Sequence, residues 1–577
     1  MVFDADLIAV ALKEKAADMV IKGGKIVNVY TGEIYIADIA VYKDQIAYVG
    51  NKSINTDSST ELVDAEGFYL VPGYIEPHAH LWVIANPVEW GKELSKHGIT
   101  TAVTDNAGYF ALQGKEKFLE MISELQDFAF NFCWNVGIMY ATPVSNQESV
   151  FGNLGDIWSN KGITGIAEIT RWKDILNKKK RILNNIQSCH DAGKIVEVHT
   201  AGVSYEKLNA ITAGGAHGDH EPINVKQVYD RMRLGLWTML RHSSLRQDID
   251  SWISVLHDDN MYLSRLMLTT DGSSPMYVNK HGSMDYVLTR LVKEGVDPIT
   301  ALRLATINPA TFYRMDDKVG GIAPRRRADI LFLKDLKNFT PQHVIMAGKM
   351  MVRDGKIIQE WPKAQWEKWG IETVQYNRQF AALQANYSFS TERKTSNGYP
   401  VMDLVSTVIT RPFWTDLPEK EGKVDLTAVQ GLHLIALIQK DGQWATQGVI
   451  KGFAEKIDGY ASSYSVNGNM LVIGKEEISM AQAGARVAEL GGGIVLVEDG
   501  KILFELPLPL AGIMNDCKFS DTAVQLKKMQ DLLEDRGYKY EDFLYTTLFL
   551  PCDHLPDWRI TEYGMLDVKR GNLVYSV

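Results

Sequence analysis

The chain of 577 residues predicts an α/β fold: a (β/α)₈ barrel of the TIM type, a composite β-sandwich domain and an extra C-terminal α/β domain. Three observations lead to this prediction. Short apolar strand patterns alternate with helical patterns over residues 72–320, a length that suits an eightfold parallel barrel. Strand-like runs flank this region on both sides. Beyond residue 400 the chain has an alternation of its own, and its length alone favours several domains of about 100–200 residues.

Residues 1–71 are predicted to form the N-terminal part of the β-sandwich. A short amphipathic helix is expected at residues 6–16, followed by a meander of short strands separated by turn residues. Gly23-Gly24 is one of the predicted turns. The strands of the meander are predicted at residues 19–21, 25–29, 39–41, 46–49 and 68–71.

Residues 72–320 are predicted to form the barrel. Helical spacing of apolar residues occurs at 87–97, 115–125 and 284–294. Strand-like runs occur at 100–104, 165–169, 195–199 and 266–270. Because the carboxyl ends of all strands in a parallel barrel meet at one face, residues that end these runs are expected to converge.

The rest of the chain divides into three further predicted segments. Residues 321–362 return to strand patterns and are expected to pair with the N-terminal strands as the second part of the β-sandwich. Residues 363–400 are polar and predict a helix and linker. Residues 401–577 predict a separate α/β domain, in which Asp499-Gly500 marks the turn of a hairpin.

Composition excludes several classes of protein. The net charge is −10, and the short basic runs at 178–181 and 325–327 are interpreted as solvated faces, so no nucleic-acid partner is expected. There is no apolar run of about 18 residues to span a membrane, and no positively charged secretory leader. Four scattered cysteines form no CxxC pair, so neither a disulfide framework nor a cysteine-bound zinc is predicted. A reducing, cytoplasmic setting follows.

The strongest chemical signal is a pair of histidines at the predicted end of the first barrel strand. Residues 72–80 read PGYIEPHAH. Residues i and i+2 of a strand point the same way, so His78 and His80 present two imidazoles to one side. Neutral imidazole is a common ligand of zinc, iron and manganese. Two unremarkable histidines are the alternative interpretation of the His-x-His pattern alone.

Further polar residues follow at the ends of other strand candidates. Taken singly, Glu168 could be a surface carboxylate, His199 a core histidine and Asp271 a helix N-cap. Taken together, their spacing matches successive βα units of a barrel, which favours a shared site. The candidate residues are His78, His80, Glu168, His199, His220 and Asp271.

These motifs resemble the amidohydrolase superfamily and, within it, the adenine deaminase family. The order of a His-x-His pair, an acidic bridge, two further histidines and an aspartate is similar to the superfamily pattern. Glu168 stands where many relatives carry a lysine, and residues 218–221 read GDHE, similar to the family's Ser-Asp-His-Glu. The resemblance extends to the C-terminal segments 491–497 (GGGIVLV), 506–512 (LPLPLAG), 559–564 (RITEYG) and 566–568 (LDV).

Two segments depart from the family pattern. Residues 105–109 read DNAGY where adenine deaminases usually have Asp-Pro-His-Glu, a loop expected near the substrate. Residues 463–469 read SYSVNGN and contain no histidine, whereas the family often has His-Asp-Ser-His-Asn there. The metal-binding residues are therefore expected to be intact, while groups that contact the substrate have changed.

The resemblance implies a cofactor and roles for individual residues. One or two divalent ions (manganese, iron or zinc) would be held by the six candidate residues and would activate a hydroxide. Asp271 would move a proton from that hydroxide to the departing amine. Glu221 would deliver a proton to a ring nitrogen or orient His220. Asp105 and Arg241 are candidate substrate-binding residues, although Arg241 would equally suit a plain surface ion pair.

The function implied is hydrolytic deamination of adenine to hypoxanthine and ammonia, as in purine salvage. The first alternative is an amidohydrolase that acts on another aminopurine, cyclic amide or cyclic amidine. The second alternative is a non-catalytic protein that binds a purine or a partner protein. The expected partner is a small heterocycle such as a purine base, and the resemblance implies a homodimer or higher homo-oligomer.

Overall fold

The computed structural model describes residues 4–105, 109–137, 154–155 and 157–577. At its centre eight strands follow one another in a single sheet, and each pairs in parallel with the next strand along the chain. These strands are β1 (Tyr74–Ala79), β2 (Ile99–Asp105), β3 (Asn131–Gly137), β4 (Ile163–Ile169), β5 (Ile195–Val198), β6 (Gly218–Asp219), β7 (Trp237–Arg241) and β8 (Leu266–Thr269).

The barrel strands are buried on both faces because helices cover the outer side. Strands β1, β2, β4, β5 and β8 are buried along their whole length, the pattern of a parallel sheet rather than of a half-exposed one. The surrounding helices are Pro87–Lys96, Tyr109–Leu125, Trp172–Leu176, Lys180–Asp191, Tyr205–Ala213, Val225–Arg233, Ile249–Trp252, Pro275–His281, Met284–Lys293, Pro298–Leu304 and Ile307–Phe312.

Side chains join the first and last strands of the barrel. The buried carboxylate of Glu76 in β1 accepts hydrogen bonds from the Thr269 hydroxyl at 2.7 Å and from the Thr270 amide at 2.9 Å. The Thr269 hydroxyl also lies 2.9 Å from the carbonyl oxygen of His78. The polar groups at this seam are therefore satisfied, and β8 lies directly beside the strand that carries the paired histidines.

A nine-stranded sheet is built from chain segments on both sides of the barrel. Its two halves meet where strand Tyr69–Pro72 pairs antiparallel with Ile330–Leu333. The predicted turn at Gly23-Gly24 is wrong: these residues form a bulge inside one strand, because Gly23 adopts a φ of 71° without steric cost. The strands are Met19–Val27, Ile34–Tyr42, Gln45–Gly50, Glu61–Asp64, Tyr69–Pro72, Ile330–Leu333, His343–Met346, Lys349–Arg353 and Lys356–Ile357, and helix Ala5–Leu12 precedes them.

The C-terminal region contains a further eight-stranded sheet with helices packed against it. The predicted hairpin is confirmed, since Gly493–Glu498 and Lys501–Pro507 are joined by Asp499 and Gly500, both with positive φ. The other strands of this sheet are Tyr399–Leu404, Thr410–Thr415, Leu432–Ile438, Ala445–Lys451, Gly459–Ser462 and Met470–Gly474. Three strands form a separate sheet: Trp558–Thr561, Gly564–Asp567 and Asn572–Ser576. The helices are Arg378–Ala381, Glu477–Glu489, Phe519–Glu534 and Phe543–Phe549.

The C-terminal region is joined to the barrel near the carboxyl end of β1. Strand Ile84–Ala85 pairs in parallel with Met514–Asn515, and the side-chain amide of Asn86 donates to the Asn515 carbonyl at 3.2 Å. The fold class predicted from the sequence is confirmed: a parallel eightfold barrel, a sheet assembled from both flanks, and an additional C-terminal α/β unit. The residue limits of the domains stay a prediction.

Among the described residues, no helix is both long enough and apolar enough to cross a lipid bilayer.

Candidate active site

Four histidines from three barrel strands surround one carboxylate oxygen, Oε1 of Glu168. His78 and His80, at the end of β1, place their Nε2 atoms 3.1 Å and 3.6 Å from this oxygen. His199 follows β5 and His220 follows β6; His199 Nδ1 lies 3.6 Å and His220 Nε2 lies 3.3 Å from the same oxygen. The structure therefore brings these five predicted residues together.

Asp271, which follows β8, completes the cluster. Its Oδ1 lies 3.0 Å from His80 Nε2 and 3.3 Å from His78 Nε2. Ligand atoms of His78, Glu168, His220 and Asp271 all lie within 4.8 Å of one another, and these four side chains are buried. Ligands of one ion lie about 2 Å from it, and hence close to one another in this way. The donor set of imidazoles and carboxylates fits a divalent metal ion.

A second layer of carboxylates holds the outer nitrogens of these rings. Glu197 lies within β5, and its Oε1 is 2.5 Å from His78 Nδ1 and 3.0 Å from His220 Nδ1. Asp105 Oδ1 is 2.6 Å from His80 Nδ1 and also accepts from the Trp82 indole at 3.0 Å. Carboxylates in these positions fix each ring so that the opposite nitrogen faces the centre, as around metal-binding histidines in general.

Glu197 is a site residue that the sequence analysis missed. Its other oxygen, Oε2, accepts a hydrogen bond from the Tyr313 hydroxyl at 2.9 Å, so both oxygens are engaged. The available signal was a glutamate inside the apolar run 195–198, two positions before His199 and hence on the same side of the strand. A charged residue in such a run needs a partner.

The backbone is strained at the two acidic residues of the inner cluster. Glu168 has a φ of 52° and Asp271 a φ of 42°, in the left-handed region that residues other than glycine seldom adopt. Gly272, next to Asp271, has a φ of 67°, and a Cβ atom there would lie 2.8 Å from His80 Cδ2. The strand ends are thus shaped to bring these carboxylates against the histidines.

A buried ion-pair network adjoins the cluster. Arg241 ends β7, contacts Asp271 Oδ2, and lies 2.8 Å from Glu221 Oε1. Arg246 lies 2.5 Å from Glu221 Oε2. Arg241 is buried, so the alternative of a surface ion pair is wrong. Arg246 was not predicted, because nothing in its sequence surroundings points to a site.

The surroundings of the cluster keep its carboxylates negatively charged. Burial alone would raise the pKa of Glu197, but the neighbouring His78 and His220 rings outweigh it and lower that pKa to about 2. Burial likewise opposes ionisation of Asp271, yet Arg241 and the hydrogen bonds of His78 and His80 hold its pKa well below the usual range. An environment of this kind suits bound cations.

The cluster opens into a cavity of about 340 Å³. The barrel contributes the charged part of the lining together with apolar residues such as Trp82 and Ile223. Its polar lining residues are His80, Glu168, His199, Glu221, Gln227, Arg241, Arg246 and Asp271. The other wall comes from the C-terminal region: Val408, Ile409, Val466, Tyr545, Leu548, Phe549, His554, Leu555 and Pro556. The candidate ions and the space for a small molecule therefore adjoin each other.

The structure describes only part of the loop that was expected near the substrate. Asp105 is fully buried behind His80, where the ring and the Trp82 indole use its carboxylate. Its position thus favours orientation of His80 over contact with a substrate. Residues 106–108 of the altered loop lie outside the described residues, whereas Tyr109 at its end is buried.

Comparison with known proteins adds to this geometry. Residues 69–351 match the amidohydrolase family, and residues 407–572 match the adenine deaminase C-terminal domain. "Putative adenine deaminase YerA" of Bacillus subtilis (strain 168) is 31% identical over 560 residues, covering 96% of this chain and 94% of the relative. "Adenine deaminase" of Cenarchaeum symbiosum (strain A) is 31% identical over 578 residues, covering 98% of this chain and 94% of the relative.

A solved D-hydantoinase (dihydropyrimidinase) from Thermus sp. is 15% identical, with a TM-score of 0.47, and the match covers 59% of this chain and 97% of that one.

Proposed function

The chain belongs to the adenine deaminase family of amidohydrolases, and from this premise we propose that it hydrolyses adenine to hypoxanthine and ammonia. The observation that carries the proposal is the convergence of four histidine nitrogens on Glu168 Oε1, with Asp271 beside them, in the wall of a cavity of about 340 Å³. A protein that only binds a purine would have no need of this donor set.

We propose that one or two divalent ions are held here. The residues that would hold them are His78, His80, Glu168, His199, His220 and Asp271. Manganese, iron and zinc all accept such nitrogen and oxygen ligands. When bound, such ions lower the pKa of water and polarise the group under attack.

Asp271 is the group best placed to move a proton at the reacting carbon. Its carboxylate lines the cavity and lies against His78 and His80. It takes one proton from the attacking water and gives it to the amino nitrogen that leaves C6 as ammonia. The second proton of that water ends on ring nitrogen N1 of hypoxanthine, which balances the reaction.

We propose that Glu221 delivers a proton to ring nitrogen N1 of adenine. It lines the cavity, and Arg241 and Arg246 fix both of its oxygens. The alternative role, orientation of His220, is already filled by Glu197 at 3.0 Å from His220 Nδ1, whereas Glu221 Oε1 is 3.6 Å from His220 Nε2. Arg241 joins Glu221 and Asp271 and keeps both carboxylates at a fixed spacing.

Glu197 and Asp105 are proposed as positioning residues. They hold the outer nitrogens of His78, His220 and His80, so they act on the reaction through the rings and not through the substrate. For Asp105, this positioning role takes the place of the substrate-binding role that was predicted from the sequence.

The test combines metal replacement with a substrate panel. Protein treated with a chelator is reloaded separately with manganese, iron or zinc, and bound metal is measured by mass spectrometry. Ammonia release is then followed with adenine, other aminopurines and cyclic amides. We expect metal-dependent ammonia release from adenine, with hypoxanthine as the product. If ammonia were released only from other heterocycles, one of them and not adenine would be the substrate. An inert protein that retains no metal would overturn the enzyme assignment.

A further inference from the structure

The C-terminal wall of the cavity is almost wholly apolar. Valine, leucine, isoleucine, proline and phenylalanine side chains make up most of it. Tyr545 and His554 are the two residues of this wall whose side chains carry a strong hydrogen-bonding group. A planar heterocycle with ring nitrogens would find few polar partners on this side, so the state of these two side chains matters.

The hydroxyl of Tyr545 already makes a hydrogen bond within the protein. Its O–H donates to the carbonyl oxygen of Gly272, next to Asp271. His554 is different: its side chain is 93% buried, and its Nδ1 finds no hydrogen-bond partner among the residues that the structure describes. The neighbouring Asp553 Oδ1 lies 3.9 Å from this nitrogen, beyond hydrogen-bonding distance. The ring nonetheless lines the cavity and makes no hydrogen bond with a described residue, so a ligand on this wall can offer it one.

The loop that carries His554 is fixed in place. Arg559 is buried, and its guanidinium donates to the carbonyl oxygens of Val408 at 2.7 Å and Phe549 at 3.2 Å. Asp553 lies 3.6 Å from Arg171, which belongs to the barrel loop after Glu168. The His554 ring packs edge-on against Phe549, with ring centres 6.0 Å apart, and lies 6.4 Å from the ring of His199. The ring is therefore held beside the candidate metal site.

We propose that His554 is a substrate-binding residue that the C-terminal region contributes: its imidazole makes a hydrogen bond to a ring nitrogen of the heterocycle and so selects nitrogen-rich bases. This inference rests on the proposed deaminase function and extends it. Residues 463–469 lack the family's histidines, and Val466 of that segment presents an apolar side chain to the same cavity. His554 supplies a histidine to this wall from a different segment.

The experiment compares His554→Asn with His554→Leu in the full-length, metal-loaded enzyme. Loss of a hydrogen bond to a bound base raises KM about tenfold or more in the leucine variant, with kcat within about threefold of wild type. Asparagine retains a polar nitrogen at a similar reach and is expected to restore part of the affinity. Bound metal, measured in each variant, should stay at the wild-type level.

Deaza-adenines, in which one ring nitrogen is replaced by carbon, identify the atom that His554 contacts. For one of these analogues, binding to the wild-type enzyme should be weaker than binding of adenine. The factor should equal the one by which His554→Leu weakens the binding of adenine. For that analogue, the His554→Leu substitution should cause no further loss, because the hydrogen bond is already absent.

His433→Asn is the matched control. Like His554, His433 belongs to the C-terminal region and has no partner for Nδ1 among the described residues, but it is fully buried in strand Leu432–Ile438 and does not line the cavity. Its variant should keep the wild-type KM even if its melting temperature falls. Wild-type turnover of adenine with an unchanged KM in His554→Leu would overturn this inference alone. A wild-type enzyme that neither binds nor deaminates any purine would overturn the proposed function and this inference together.

Discussion

The two walls of the cavity are built on different principles. The barrel wall carries the charged side chains beside some apolar ones, and ion pairs and hydrogen bonds hold the charged groups: Arg241 engages both Glu221 and Asp271, and Asp271 also contacts His80. The C-terminal wall is apolar and is shaped by packing. The barrel wall can therefore position charges and protons, whereas the C-terminal wall can select a molecule by shape and desolvation.

This difference predicts how variants should divide. Changes on the barrel wall should lower kcat or metal affinity, because they disturb groups that act on the reacting atoms. Changes on the C-terminal wall should raise KM, because they disturb contacts that are equal in the bound substrate and the transition state. Changes outside the cavity should affect stability alone.

The largest expected effect is that of Asp271→Asn on the barrel wall. An amide cannot accept a proton from the attacking water, so kcat for adenine should fall by about 10²–10⁴-fold. Much of the bound metal should remain, since asparagine keeps one oxygen in place of the carboxylate. Rates and metal content would be measured on the same preparation, and a wild-type rate would remove Asp271 from the proton-transfer role.

Glu197→Gln should have the next largest effect. A glutamine amide oxygen can still accept from both His78 and His220, but the side chain is neutral, and its NH2 group replaces the oxygen that accepts from the Tyr313 hydroxyl. Metal affinity or activity should fall by about 10–100-fold. Titration of chelator-treated protein with metal gives the affinity. Tyr313→Phe, which removes one outer hydrogen bond to Glu197, should have a smaller effect; equal effects of the two variants would contradict the ranking.

Val466→Asp tests the C-terminal wall. A carboxylate on this apolar surface opposes the binding of a neutral base, so KM should rise about tenfold while kcat changes little. Val524→Asp is the control, because Val524 is 62% exposed on helix Phe519–Glu534 of the same region and does not line the cavity. If both variants, or neither, showed the higher KM, the apolar wall would have no role in selecting substrate.

The smallest effect on activity is expected for His97→Asn, outside the cavity. His97 lies 3.1 Å from Asp285 and 3.4 Å from Glu93; burial opposes its protonation, but these two carboxylates outweigh burial and raise the pKa of His97 to about 10. The variant should lose about 3 kcal/mol of unfolding free energy at neutral pH and keep its KM.

The pH dependence of this loss has a definite sign. A raised pKa in the folded state gives stability that is complete below the unfolded value of about 6.5 and is lost as pH rises through about 10. Denaturant titrations of wild type and His97→Asn at several pH values should therefore converge above pH 10. A constant difference across this range would show that the ion pairs of His97 contribute nothing.

The sequence predicted the inner cluster because that cluster follows from local rules. Alternation on β1 places His78 and His80 on one side, and the parallel topology brings the carboxyl ends of β4, β5, β6 and β8 to the same face. Glu197 was missed although its signal, a glutamate in an apolar strand, was present. Asp105 was assigned to the substrate because the sequence does not show whether a strand-end carboxylate faces the cavity or a neighbouring ring.

The apolar wall could not be predicted from the sequence. Val466, Tyr545 and His554 lie far from the barrel strands along the chain, and their approach to His199 and Gly272 depends on how the C-terminal region packs on the barrel. No local periodicity encodes such long-range packing. The resemblance indicated that residues 463–469 were altered, but it gave no reason to consider His554.

The short pairing between Ile84–Ala85 and Met514–Asn515 limits how this chain can be divided. It joins a barrel loop shortly after His80 to a segment more than 400 residues away in sequence. A fragment that ends near residue 400 would leave this strand edge unpaired and expose the apolar residues beneath it, such as Val83 and Trp90. The two halves are therefore expected to be recovered in soluble form when they are produced together in one cell, and to aggregate when produced apart.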